Sequence, residues 1–203
     1  MSGAEFRSFA IVPAAGRSVR MGQPKLLLPW GESTILETVL KAWRASRVSA
    51  VVIIVHPDDA ELAARALGDR TTVVIASPPP PDMKASVQHG LARTAELFSP
   101  ARGDAWLVAP ADLPLVSPQT IDQLLAAHDP AKPSILVPTH NGRRGHPVLF
   151  PWPLAHDAHH LAADEGINAL LERFATAEVA AAADAVADDV DTQADYRRLY
   201  DRH

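Results

Sequence analysis

The sequence predicts an α/β fold with a mostly parallel sheet, and three observations carry that prediction. Short apolar runs alternate with longer segments of helical spacing along the chain. The run AVVIIV at 50–55 has no polar position, as expected of a strand covered on both faces. Turn and cap residues separate successive runs, and no linker interrupts them. The 203 residues are therefore read as one domain spanning 1–203.

The elements follow in order. FAIV (9–12) is the first buried strand, and PAAGRSVRMGQPK (13–25) comes after it. The next segment, STILETVLKAWRAS, places Ile35, Leu36, Val39, Leu40 and Trp43 at helical spacing, with Ser33 as its N-cap and Glu37 in the first turns. After the strand at 50–55, a helix is expected to open at Pro57/Asp58 and close at Gly68. TTVVIA (71–76) is a third strand. SPPPP (77–81) is a stiff loop, because proline has no N–H to give to a helix or a central strand. A helix over ASVQHGLARTAELF and a strand over AWLVAP (105–110) come next. Ser117 then caps a helix that starts on Pro118. SILVP and HPVLF flank the turn THNGRRG, and helical segments close the chain at EGINALLERFA and TQADYRRLY.

Composition narrows the function. The net charge is −5 and the isoelectric point about 6.0, so no broad basic surface exists for nucleic acid or an anionic membrane. The absence of cysteine excludes disulfides and thiolate metal sites. There is no signal-peptide pattern and no membrane-length apolar run, so a cytoplasmic protein is expected.

In open parallel sheets, ligands bind at the carboxyl ends of the strands, and four segments stand out there. The loop 13–25 offers the small residues Ala14, Ala15, Gly16 and Ser18, whose backbone can come close to a ligand, and the cations Arg17, Arg20 and Lys25. Such a loop suits a polyphosphate, although it matches neither the P-loop nor the Gly-x-Gly-x-x-Gly pattern; the alternative is an ordinary surface loop. Asp112, in APADLPLV, is either a hard oxygen ligand for Mg²⁺ or a turn cap. In DDVDTQADY, Thr192 and Asp195 form a capping box and leave Asp191 free as a second metal carboxylate. His146, between Gly145 and Pro147, either lines a pocket and binds substrate or completes a turn. His156, His159 and His160 read as a solvated helical face without zinc spacing.

These segments, in this order, resemble the nucleotidyltransferase family that includes the molybdenum-cofactor cytidylyltransferases and guanylyltransferases. The carriers are Ala14-Ala15-Gly16-Arg17-Ser18-Val19-Arg20-Met21-Gly22-Gln23-Pro24-Lys25, then ADLPLV at 111–116, GHPVLF at 145–150 and DVDTQADY at 189–196. The resemblance covers nearly the whole chain. It implies a Rossmann-like, GT-A-like three-layer α/β fold and Mg²⁺-dependent transfer of a nucleoside monophosphate from an NTP to a phosphorylated acceptor, with release of pyrophosphate. It further implies that Ala14 to Ser18 cradle the nucleotide, that Lys25 and Arg20 neutralise phosphate charge beside Asp112, and that Asp112 and Asp191 hold Mg²⁺. Ala15, where the guanylyltransferases carry glycine, points to CTP, with Ser86 beside the base. The implied acceptor is molybdopterin, and a molybdoenzyme would receive the product. The departures are Pro13 before AAG, Asp82, Lys84, Gln88 and His89 in the helix start, and Asn168 where cytidylyltransferases carry arginine. The same chemistry on a sugar or alditol phosphate, a guanylyltransferase, and a non-catalytic nucleotide-binding or cofactor-chaperone protein stand as alternatives.

Overall fold

The computed structural model describes residues 6–17, 23–186 and 189–201, apart from the side chain of Asp184. Its centre is an eight-stranded sheet. Strand β1 (Ser8–Ala14) lies in the middle, with β4 (Ala50–Val55) and β5 (Thr71–Ile75) on one side and β6 (Ala105–Val108) on the other. Beyond β6 lie β9 (Val148–Pro151), β7 (Ile135–His140) and the edge strand β10 (Thr176–Ala180), while β8 (Arg143–Arg144) pairs with β7. The pairs β1–β4, β4–β5, β1–β6 and β7–β10 are parallel. The antiparallel pairs of this sheet all involve β8 or β9. A small separate hairpin joins β2 (Pro29–Trp30) to β3 (Ser33–Thr34).

Among the described residues, seven α-helices flank the sheet: α1 (Ile35–Ala45), α2 (Ala60–Arg65), α3 (Met83–Phe98), α4 (Pro118–Ala127), α5 (Leu154–His159), α6 (Ala169–Arg173) and α7 (Gln193–Tyr200). The central strands divide their side chains between two cores. Ala10, Val12, Val51 and Ile53 face the layer of α1 and α4; Ile11, Val52 and Ile54 face that of α3, α5 and α6. This two-sided burial explains the uninterrupted apolar sequence of β4. The Asn141-Gly142 turn between β7 and β8 takes positive φ at both residues, the geometry of a tight hairpin. In α3, Gly90 lies against β1 and β4; a Cβ there would come within 2.7 Å of Ile11 and 2.8 Å of Ile54. The missing side chain lets the helix close on the sheet, which sets where its N-terminus falls.

Three sequence expectations change. The N-cap of α1 is Thr34 rather than Ser33: Thr34 and Glu37 form the reciprocal capping box, while the Ser33 hydroxyl donates to Glu37 from outside. Helix α2 is shorter than expected and starts at Ala60. The strand β10 was not foreseen, because TAEVA is short, half-exposed and lies at an edge.

Candidate active site

The chain order of the sheet reverses at β1: β4 follows on one side and β6 returns on the other, so their carboxyl ends open a crevice. A cleft of about 640 Å³ lies there, lined at its polar end by Ala14 to Arg17, Lys25, His56 and Asp112. Pro79, Met83 and Ser86 line the opposite end.

Three chain segments build the polar end. The first is the turn after β1. Lys25 opens a 3₁₀ turn, Lys25–Leu27, whose Leu26 is buried in the core. The second follows β6, where the Ala111 N–H donates to the Pro13 carbonyl at 3.1 Å and so fixes Asp112 beside the first loop. The third precedes α7. Buried Val190 donates its N–H to the Asp112 carbonyl at 3.1 Å, and extended backbone turns Asp189 and Asp191 toward one side of it.

Lys25 Nζ joins all three segments, donating to Asp112 Oδ2 at 2.5 Å and to Asp191 Oδ1 at 2.9 Å. Burial pulls its ammonium pKa down, but the charge and hydrogen bond of Asp112, and then those of Asp191, outweigh it and the net direction is up. Asp112, Asp189 and Asp191 each bring a carboxylate oxygen within 4.8 Å of the others. Burial raises the Asp189 carboxyl above its ordinary range, and the like charges of Asp112 and Asp191 add to that. Asp112 Oδ1 is buried with no hydrogen-bond partner among the described residues. Among the described residues, three carboxylates stand against one lysine, and a buried acceptor without a donor is costly. Oxygen-only donors of this kind suit a hard divalent cation.

Arg17 stands on the cleft wall, its guanidinium paired with Asp58 at 2.6 Å and its Nε 3.3 Å from His56 Nε2. A side chain built on Gly16 would meet nothing within 4 Å among the described residues. At the far end, the Asp82 carboxylate caps α3 by accepting from the Ala85 N–H at 2.7 Å. The buried Ser86 hydroxyl donates to the Asp82 carbonyl at 3.2 Å.

The structure therefore gathers Ala14, Ala15, Gly16, Arg17, Lys25, Ser86 and Asp112 at one cleft, with Asp191 on Lys25. Ser18 and Arg20 lie outside the described residues. His146 does not line the cleft. It packs behind it, with its backbone N–H donating to the Ala185 carbonyl at 2.8 Å. Gly145 makes that approach possible, since a Cβ there would lie 1.9 Å from the same oxygen. Burial pushes the His146 imidazole pKa down, and its Nδ1 is enclosed without a partner among the described residues. His156, His159 and His160 are exposed on and just after α5. Sequence reasoning passed over two residues. His56 directly follows β4, a strand whose carboxyl end the same rule would have flagged. Asp189 is two positions from Asp191 across an apolar residue, an alternation that places both carboxylates together.

A mostly parallel sheet whose polar groups meet at the β1/β6 reversal defines a Rossmann-like α/β protein of the nucleotide-binding class. The chain belongs to the MobA-like NTP transferase domain family, matched over residues 10–181, and is a nucleotidyltransferase of that family. It is 29% identical to the molybdenum cofactor cytidylyltransferase of Escherichia coli over 70% of this chain and 69% of that one. It is 32% identical to a probable molybdenum cofactor guanylyltransferase of Bacillus mycoides over 80% and 72% of the two chains. Among solved structures, Rv0371c of Mycobacterium tuberculosis superposes with a TM-score of 0.83 at 29% identity, covering 99% of this chain and all of that one. The same protein has been crystallised in complex with manganese; that structure aligns at 0.78 and 26% identity over 97% of this chain and 100% of its own.

Proposed function

We propose that this protein is a molybdenum cofactor cytidylyltransferase: it transfers CMP from CTP to the terminal phosphate of molybdopterin cofactor and releases pyrophosphate. The observation that carries the reading is Lys25 held between Asp112 and Asp191 at the mouth of the cleft. A cation and a carboxylate cluster at one point suit a triphosphate and a divalent ion together. Mg²⁺ held by Asp112 and Asp191, with Asp189 beside them, would supply positive charge to the phosphate oxygens.

The chain's own residues supply the rest. The backbone from Ala14 to Gly16 lines the cleft and can receive phosphate oxygens. Lys25 and Arg17 bring positive charge to the same end. The acceptor is already an anion, so an oxygen of its phosphate attacks the α-phosphorus without a general base. A new P–O bond forms as the bond to the β-phosphate oxygen breaks, and pyrophosphate carries the charge away. Rate then comes from alignment and from fixed charge. At the base end, Ser86 lies on the cleft wall together with the stiff proline loop, and Ala15 lines the cleft from the polar end. The Ala15 methyl narrows the slot in favour of a pyrimidine, and His146 supports the acceptor side from behind Asp112.

The direct test is pyrophosphate release with CTP, GTP, ATP or UTP and Mg²⁺, with and without molybdenum cofactor. The expected result is turnover that needs the cofactor and prefers CTP. Tight nucleotide binding without turnover on any acceptor would instead indicate a binding protein. Ala15→Gly should raise GTP use relative to CTP by up to about tenfold, roughly the worth of one small apolar group in a pocket; an unchanged GTP/CTP ratio would remove Ala15 from nucleotide selection.

A further inference from the structure

The contact between Lys25 and Asp191 joins segments 166 positions apart. A second contact joins the same two segments a few residues further along each. The Tyr196 hydroxyl, on the first turn of α7, donates to the Pro29 carbonyl at 2.6 Å. Pro29 begins the small hairpin that directly follows the Lys25 turn. Beside it, Trp30 is 1% exposed and meets Tyr196 and Tyr200 edge-on, at centroid distances of 6.1 and 5.6 Å. The two tyrosine rings lie 5.6 Å apart. Thr192, next to Asp191, caps α7 with Asp195 in a reciprocal box, so the helix transmits its position to Asp191 with little slack. On the other side, Val190 is tied to the Asp112 loop.

We infer that Tyr196 is a positioning residue: its hydroxyl fastens α7 to the β2–β3 hairpin and thereby holds Asp191 in register with Lys25 and Asp112. Neither Tyr196 nor Pro29 lines the cleft. The strap lets a rigid helix carry one carboxylate to the site, whereas the other is carried by a loop of the sheet. That Asp191 also serves the metal rests on the function proposed above; the register between Asp191 and Lys25 does not.

Tyr196→Phe tests this, because it keeps the ring and removes only the hydroxyl. Tyr200→Phe, which keeps the same aromatic contact with Trp30, is the control. The first measurement is the acylation rate of Lys25 by acetic anhydride in metal-free protein, read by peptide mass spectrometry. Loosening of Asp191 should raise that rate about threefold to tenfold in Tyr196→Phe, the effect of losing one hydrogen bond, with no change in Tyr200→Phe. The second is Mn²⁺ binding in the presence of CTP, followed by electron paramagnetic resonance, with affinity expected to fall by a similar factor. A Lys25 acylation rate equal to wild type overturns the proposal, even if the melting temperature falls, since the hydroxyl would then serve stability alone. A faster Lys25 rate in a protein whose wild type binds no Mn²⁺ would keep the strap and remove the metal assignment.

Discussion

The two ends of the cleft are held by different forces. At the polar end, Lys25, Asp112 and Asp191 are cross-linked by charge, and each comes from a separate part of the chain. At the opposite end there is no such network among the described residues. Pro79 to Pro81 stiffen one wall, and the N-terminus of α3 forms the other, placed there by the close fit of Gly90 on Ile11 and Ile54. One end is tuned by electrostatics and the other by volume. A charge change should therefore alter chemistry at the first with little loss of fold, while a volume change should alter fold at the second with less direct loss of chemistry.

The largest effect is expected from Asp112→Asn. It preserves shape and removes a charge from the carboxylate cluster, so turnover should fall on the order of 10³-fold, while the circular dichroism melting curve stays within a few degrees of wild type. Near-normal turnover would overturn the proposed metal role of Asp112. Gly90→Ala is the matching probe of the other end. Alanine gains about 1 kcal/mol in helix propensity, but the added methyl overlaps two buried isoleucines, at a cost of about 1–3 kcal/mol. A net loss of about 1 kcal/mol lowers the melting temperature by roughly 2–4 °C in a chain of this size. A rise in melting temperature would show that α3 can retreat freely.

The smallest effect is the pH dependence contributed by Lys25. Its folded pKa lies above the ordinary value of 10.5, so the folded state holds this proton more tightly than the unfolded state. The stabilisation is complete below that ordinary value and disappears as pH rises through the higher folded one. Wild type should therefore lose melting temperature on alkaline titration more steeply than Lys25→Met; parallel curves would mean that the pair with Asp112 adds nothing to stability.

How much of this was legible in the sequence depended on the kind of signal. The uninterrupted AVVIIV, the Ser117-Pro118 start and the Thr192/Asp195 box each report local chemistry, and the structure shows all three. Ser33 and Thr34 are adjacent hydroxyls before one helix, and only the backbone direction distinguishes them. TAEVA gave no clear period because an edge strand with two alanines buries little. For the site, position at a strand's carboxyl end identified Gly16, Lys25 and Asp112. His146 shares that edge, yet it faces inward because Gly145 lets the chain press against Ala185, a tertiary contact that spacing alone does not encode. Asp189 was readable from the alternation around Val190, whereas the Tyr196–Pro29 bond was not, since its partners are 167 positions apart.

That long separation has a consequence for synthesis. During translation, the loop containing Lys25 and the strand that leads to Asp112 emerge well before the segment bearing Asp189 and Asp191. At about 5–20 residues per second, the interval between Lys25 and Asp191 is on the order of ten to thirty seconds. Through that time the nascent chain presents the Lys25 loop without its full set of carboxylates. The last carboxylates to appear act as a timer: the chain cannot close the Lys25–Asp112–Asp191 cluster before nearly all of its sheet has been made.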